Sequence, residues 1–148
     1  MPATGARNDP YRGFNFRVEI DNLPIGAFSE VSGLSTDGDA VDYREGTDRD
    51  NLVRKLVGLR KVGPISLKRG YVQNDLLWQW YGNIARGVPD RRDGAVVLMD
   101  EAHNDVLRWS FRQAWPNKIE GPSLKANGNE VAIESIELVH EGIALEIA

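Results

Sequence analysis

A chain of 148 residues, 41% hydrophobic and 27% charged, is long enough for one domain with its own core. Its net charge of −4 argues against general nucleic-acid affinity, and the absence of cysteine excludes disulfides and thiolate metal sites. No apolar run nears the ~20 residues of a membrane span, and Met1–Asn8 lacks the hydrophobic stretch of a signal peptide.

Taken in chain order, residues 1–8 read as a flexible segment. After the turn at Asp9-Pro10, strict alternation predicts a half-buried strand to Ile20. Phe14, Phe16, Val18 and Ile20 form its core face; Asn15, Arg17 and Glu19 form its polar face. Asn22–Pro24 turns the chain into a second strand, Ile25–Ser32, and the short link predicts a hairpin. Asp39–Glu45 is a third, shorter strand.

Gly46–Lys61 shows neither a strand nor a helix period and reads as a long loop, of the kind that is often functional. Charge is unevenly spread around it. Asp37, Asp39, Asp42, Glu45, Asp48 and Asp50 precede a basic run of Arg54, Lys55, Arg60, Lys61, Lys68 and Arg69. An acidic and a basic patch at opposite ends of one molecule would join copies head to tail, building rings or filaments.

Val62–Arg69 is a strand with Pro64 at its start. Asn74–Arg86 is a helix, capped by Asn74 and stopped by Gly87, with Leu76, Leu77, Trp80 and Ile84 on one stripe and Trp78 off it. Gly94–Asp100 and Val106–Ala114 form a hairpin around a polar turn, and Trp115-Pro116-Asn117 breaks its second strand. In Glu130–His140 the apolar parity changes near Ser135, which predicts a bulge or a change of exposed face. Ile143, Leu145 and Ile147 alternate to the end. The sum is a mainly β sandwich or barrel of about seven or eight strands with one α-helix.

Catalytic patterns are missing. Gly58 and Gly63 have phosphate-loop spacing, but Pro64-Ile65 stands where Lys-Ser/Thr would grip phosphate and magnesium. Asp37–Asp39 and Asp48–Asp50 lack calcium-loop spacing. His140 is the one candidate general base, against a structural reading as a strand-end histidine; His103 sits in a polar turn. No catalytic residue, metal site or cofactor is expected. The run Arg54–Arg69 leaves a monomeric nucleic-acid binder as the alternative, although it holds no aromatic residue to stack on bases.

Several stretches together resemble the tail tube proteins of contractile phages and the inner tubes of extracellular contractile injection systems, and more distantly the Hcp tube of type VI secretion. They are the opening strand from Asp9 to Ile20, Phe28–Leu34 (FSEVSGL), Tyr43–Gly46 (YREG), Ile65–Gly70, Leu77–Trp80, Trp115-Pro116 and Ala132–Gly142. The resemblance covers nearly the whole chain as a single tail tube domain, 1–148. It implies a structural subunit of hexameric rings stacked head to tail into a hollow conduit, mounted on baseplate and tube-initiating proteins, closed by a tail terminator and surrounded by a contractile sheath. It implies protein cargo or DNA in the lumen and no stable membrane anchoring. Assembly would occur in the cytoplasm, before incorporation into a phage tail or a released or membrane-docked particle, with the injection particle favoured. Residues 1–12 would be an N-terminal arm. The stretch 46–61 would stack rings through Asp48, Asp50, Arg54, Lys55, Arg60 and Lys61. Asn15, Arg17, Glu19, Arg108 and Arg112 are candidates to face the lumen.

Overall fold

The computed structural model describes residues 9–21, 23, 28–70, 75–129 and 131–147. The expected flexible segment 1–8, the Asn22–Pro24 turn and the Asn74 cap lie wholly or mostly outside these.

Nine strands and one helix follow in order among the described residues: β1 (Phe16–Ile20), β2 (Glu30–Ser32), β3 (Thr36–Tyr43), β4 (Arg54–Val62), β5 (Ile65–Gly70), α1 (Leu76–Ala85), β6 (Arg92–Met99), β7 (Asp105–Glu120), β8 (Ile133–Val139) and β9 (Ile143–Ile147). All pairings are antiparallel. The body is organised around β7. Its first half pairs with β6 on one edge and β9 on the other, and its second half pairs with β8. Strands β8 and β9 act as one interrupted partner of β7, because Trp115 lies opposite Val139 and Phe111 opposite Ile143. The long pair therefore belongs to two half-sheets: β1-β6-β7-β9, and β2-β5-β8 with the end of β7.

The alternation read in the sequence becomes rows across the first half-sheet. Phe16, Leu98, Leu107 and Ile147 align, as do Val18, Val96, Trp109 and Leu145, and Ile20, Gly94, Phe111 and Ile143. The second half-sheet answers with Val31, Leu67, Ile136 and Ile119, and with Ile65 and Leu138. These inner faces and Leu77 and Trp80 of α1 make one core.

The helix stops as expected, with a Schellman closure: Gly87 N–H donates to Ile84 O at 3.0 Å and Val88 N–H to Asn83 O at 2.9 Å, with Gly87 at φ 80°. At its start Asp75 is the cap residue and makes no side-chain cap bond; its Oδ1 instead accepts from Gln79 Nε2 at 2.8 Å.

Five expectations need correction. Phe14 is mostly exposed and precedes β1, so the strand's core face is carried by Val18 and Ile20. The first two strands are not a hairpin: β1 pairs with β6, and the three-residue β2 pairs with β5. Trp115-Pro116-Asn117 does not break β7. The missing proline amide falls beside a register shift between Pro116 and Lys118, just past the point where β7 passes from β6 to β8, and a bulge of this kind tolerates it. Strand β8 has no register shift at Ser135. Its even-numbered residues Glu134, Ile136 and Leu138 point inward throughout, and Glu134 is buried against Arg69 of β5 rather than solvated. The fifth concerns Gly46–Lys61. Residues from Arg54 onward are strand, and only the connection from Arg44 to Val53 is loop.

Candidate assembly surfaces

The polar face of the first half-sheet gathers the lumen candidates. Arg17, Val97, Arg108 and Glu146 share one row, and Glu19, Ala95, Ser110 and Ala144 the next. Asn15 extends this face beyond β1 and donates through Nδ2 to Asp100 O at 3.3 Å. Arg112 lines the same ≈ 650 Å³ cavity as Glu19, Arg108 and Ser110, and its Nη2 donates to Glu141 O at 3.1 Å.

Charges on this face form a ladder. Asp105 accepts a fork from Arg17, Nη1 to Oδ1 at 2.5 Å and Nη2 to Oδ2 at 2.7 Å. Arg17 Nε donates to Glu19 Oε2 at 3.1 Å, and Arg108 Nη2 stands 2.9 Å from Glu19 Oε1. The hydrogen bond from Arg17 holds the Asp105 carboxyl below its ordinary value. Burial pushes Glu19 up, but the bonds from Arg17 and Arg108 outweigh it and leave Glu19 below its ordinary value. The bond to Asp105 pushes the Arg17 guanidinium further up against the opposing effect of burial. Ala95 and Val97 are buried between these side chains, covered by long polar stems that keep their heads in water.

This half-sheet has two edges without a strand partner among the described residues, β1 and β9. The apolar rows run out at β9, where Leu145 is 57% and Ile147 87% exposed.

Strands β3 and β4 form a separate two-stranded sheet, an arm that pairs with no other strand among the described residues. Its base is closed by Gly63 N–H donating to Ser35 O at 3.4 Å and tied to the body by His140, whose Nε2 lies 2.9 Å from Gly63 O. A bulge lies between Gly38 and Ala40, where Gly58 passes so close to Asp39 O that a Cβ would sit 2.6 Å from it.

The arm settles the charge blocks differently from the expected opposite patches. Acidic β3 and basic β4 face each other within one hairpin. Lys55 pairs with Asp42, Lys61 Nζ lies 3.5 Å from Asp39 Oδ2, and Arg60 Nη2 donates to Asp39 O at 3.2 Å. At the tip Arg54 Nη2 donates to Asp48 Oδ1 at 2.8 Å, and Arg44 reaches the carbonyls of Asp48 and Asp50 at 3.0 Å. All six proposed stacking residues lie in this arm, and the bonds they make there are internal. The arm also leaves apolar side chains uncovered: Leu52 is 81%, Val57 85% and Leu59 79% exposed. Sequence reasoning passed over these three because it followed charge; the density of Leu and Val in a stretch with no inward face was the available signal.

The chemical candidates dissolve. His140 is buried, with Nδ1 3.1 Å from Gly142 O and Nε2 2.9 Å from Gly63 O, which makes it a tie between elements. Among the described residues no group of three or more His, Asp or Glu side chains is placed to hold a metal. The basic run from Arg54 is zipped against carboxylates on β3, and Arg69 is buried on Glu134, so it presents no open basic groove.

Comparison with known proteins agrees with the resemblance in the sequence. Residues 12–144 match the model of the T4-like virus tail tube protein gp19 family. No curated protein matches the sequence. Among solved structures, a chain of the PVC sheath-tube complex, an extracellular contractile injection system in its extended state, is similar in fold at a TM-score of 0.84. It is 24% identical, over 94% of this chain and 93% of that one. A chain of the anti-feeding prophage tube terminating cap is also similar at 0.84, with 26% identity over 97% and 95% of the two chains. Hcp1 from Flavobacterium johnsoniae shares the fold more loosely, at a TM-score of 0.53 and 14% identity over 87% of this chain and 94% of that one.

Proposed function

The chain belongs to the T4-like virus tail tube protein gp19 family, whose members are structural tube subunits and not enzymes, and we propose that it closes into hexameric rings that stack into a rigid hollow conduit. The whole of 1–148 acts as one tube domain in this reading.

The observation that carries the reading is the pair of unpaired edges on the first half-sheet. Order and direction along it are β1 up, β6 down, β7 up, β9 down. Placing β9 of one copy beside β1 of the next continues the antiparallel alternation, and a closed ring of copies leaves no edge of this half-sheet exposed. Backbone hydrogen bonds then join subunits as firmly as strands within one subunit. The ladder face, with Asn15, Arg17, Glu19, Arg108 and Arg112, lines the bore.

The β3–β4 arm joins ring to ring. Its six charged residues hold the arm in shape, and Leu52, Val57 and Leu59 supply the apolar contact with the next ring. Residues 1–12 add to that contact. A sheath surrounds the tube, a baseplate carries it and a terminator ends it, a reading supported by the likeness to chains of the PVC sheath-tube complex and of the anti-feeding prophage baseplate and cap. Sheath contraction drives the conduit, with protein or DNA inside, through a target envelope. The subunit assembles in the cytoplasm and leaves in a phage tail or an injection particle, and the 26% identity to the anti-feeding prophage cap chain favours the particle.

Negative-stain microscopy of the purified protein, alone and mixed with its baseplate, tests this. Rings or tubes with a central bore are expected. A monodisperse monomer under both conditions would sink the reading.

A further inference from the structure

The ion ladder constrains what the bore can hold. Arg17, Arg108 and Arg112 stand on one face of every subunit, and ring closure and stacking repeat them around and along the channel. Free arginines at that density would form a polycation, which binds single-stranded nucleic acid and releases counterions. These arginines are not free. Arg17 is forked on Asp105 and also bonded to Glu19, Arg108 contacts Glu19, and Arg112 donates to Glu141 O. Glu146, opposite Arg108 in the register, brings this face to three arginines and three carboxylates.

A phosphate matches the guanidinium fork as well as a carboxylate does. Arginine is therefore withheld from a passing polyanion only because its carboxylate partner is tethered beside it, at a high effective concentration. The fully buried Val97 lies between Arg17 and Arg108 in the register, so their stems run over packed surface. The geometry points to Glu19 and Asp105 as specificity-determining residues of the conduit: they cancel Arg17 and Arg108, keep polyanions from adhering to that pair, and leave a bore suited to polypeptide of mixed charge. The inference rests on the reading of this face as the bore.

Assembled tubes and a short fluorescent oligothymidylate test it. Wild-type tubes are expected to retain little oligonucleotide at about 50 mM salt. Tubes of Glu19→Gln/Asp105→Asn are expected to retain at least about tenfold more, and to lose it by about 200 mM as counterion release requires. Adding Arg17→Gln and Arg108→Gln abolishes the gain. Glu19→Gln alone, which frees Arg108 and keeps the Arg17–Asp105 fork, gives a smaller gain in the same direction and serves if the double variant does not assemble. Wild-type tubes that hold the probe as tightly as the variants, or variants that hold no more than wild type, overturn the inference. The bore itself is tested separately. The chain has no cysteine, so Ser110→Cys gives a single thiol on this face. Protection of that thiol in tubes from a maleimide on a carrier protein too large for the bore is expected; open labelling overturns the placement of the face, whatever the oligonucleotide does.

Discussion

The body and the β3–β4 arm are built from the same antiparallel ladder, yet they differ in what the ladder buries. In the body, Ile65, Leu67, Val97, Ala114 and Leu138 are fully buried, and both half-sheets face a common core. In the arm every residue of β3 is exposed, and β4 leaves Val57 and Leu59 open. A two-stranded hairpin with no covered face is marginal by itself. The body therefore has its own reason to fold, whereas the arm is held by cross-strand ion pairs and a tied base, and its apolar residues Leu52, Val57 and Leu59 are left uncovered. Core substitutions should act on the subunit, and arm substitutions on the assembly.

The strongest test of that division is Trp80→Ala. Trp80 is buried under α1, its Nε1 donates to Asp90 O at 2.7 Å, and Arg92 lies over its ring at 5.4 Å. Its truncation should cost about 3–5 kcal/mol in denaturant unfolding of the subunit. Leu59→Ala on the arm should cost no more than about 0.5 kcal/mol in the same measurement. Equal costs would erase the distinction between the two regions.

The next test compares ion pairs across the two regions. Arg69 and Glu134 are almost wholly buried, and Trp78 Nε1 donates to Glu134 Oε2 at 3.3 Å. Glu134→Gln leaves a buried guanidinium without its counter-charge and should destabilise by about 3 kcal/mol. Replacing both partners with apolar residues, Arg69→Met with Glu134→Leu, should recover most of that loss. Lys55→Glu on the exposed arm should change subunit stability by about 1 kcal/mol or less. A Glu134→Gln subunit as stable as wild type would show that water reaches the pair.

The same contrast explains how much of the molecule was legible in the sequence. Alternation marked β1 and the first half of β7 because each has one face in the core and one outside; it marked β9 as well, although only Ile143 of that strand packs on the core. The polar residues of β1 and β7, each read as a candidate lumen face, share rows on one side of the half-sheet. Strand β4 was invisible. An arm exposed on both faces has no inside to imprint on the sequence, so Leu, Val, Arg and Lys follow one another without a period. Charge blocks before and after residue 52 were visible, but their pairing across a hairpin requires a register that local pattern does not contain. Arg69, counted in the basic run, misled for the opposite reason: a charge that is buried because it is paired, here with Glu134, reads locally as a surface residue. Which strands neighbour which, β1 beside β6 and β2 beside β5, is a long-range fact that short links do not reveal.

The arm's own prediction concerns assembly. Leu52→Ser with Leu59→Ser should leave the subunit's midpoint of unfolding within about 0.5 kcal/mol of wild type. In negative stain it should yield single rings in place of long tubes. Reversing Arg54 and Lys55 to Glu places like charges against Asp48 and Asp42 and should shorten tubes while leaving rings closed. Loss of ring closure and stacking together, in either variant, would move the arm into the ring interface.

The smallest effect sharpens the comparison within the body, between its core and its ladder. Glu19 and Asp105 are held below their ordinary values by Arg17, with Arg108 also acting on both. A carboxyl lowered in the folded state contributes stability that is present above its unfolded pKa and is lost as pH falls through the folded value. The contribution should therefore be complete at pH 7 and fade below about pH 4. Glu19 is well exposed to solvent, so Glu19→Gln should cost less than about 1 kcal/mol at pH 7. Its unfolding curve should converge on that of wild type as pH falls from about 4 towards 2. A gap that persists unchanged into acid would mean that the substitution costs hydrogen-bond geometry rather than charge, and the ladder would then be a set of directed bonds and not an electrostatic surface laid upon the core.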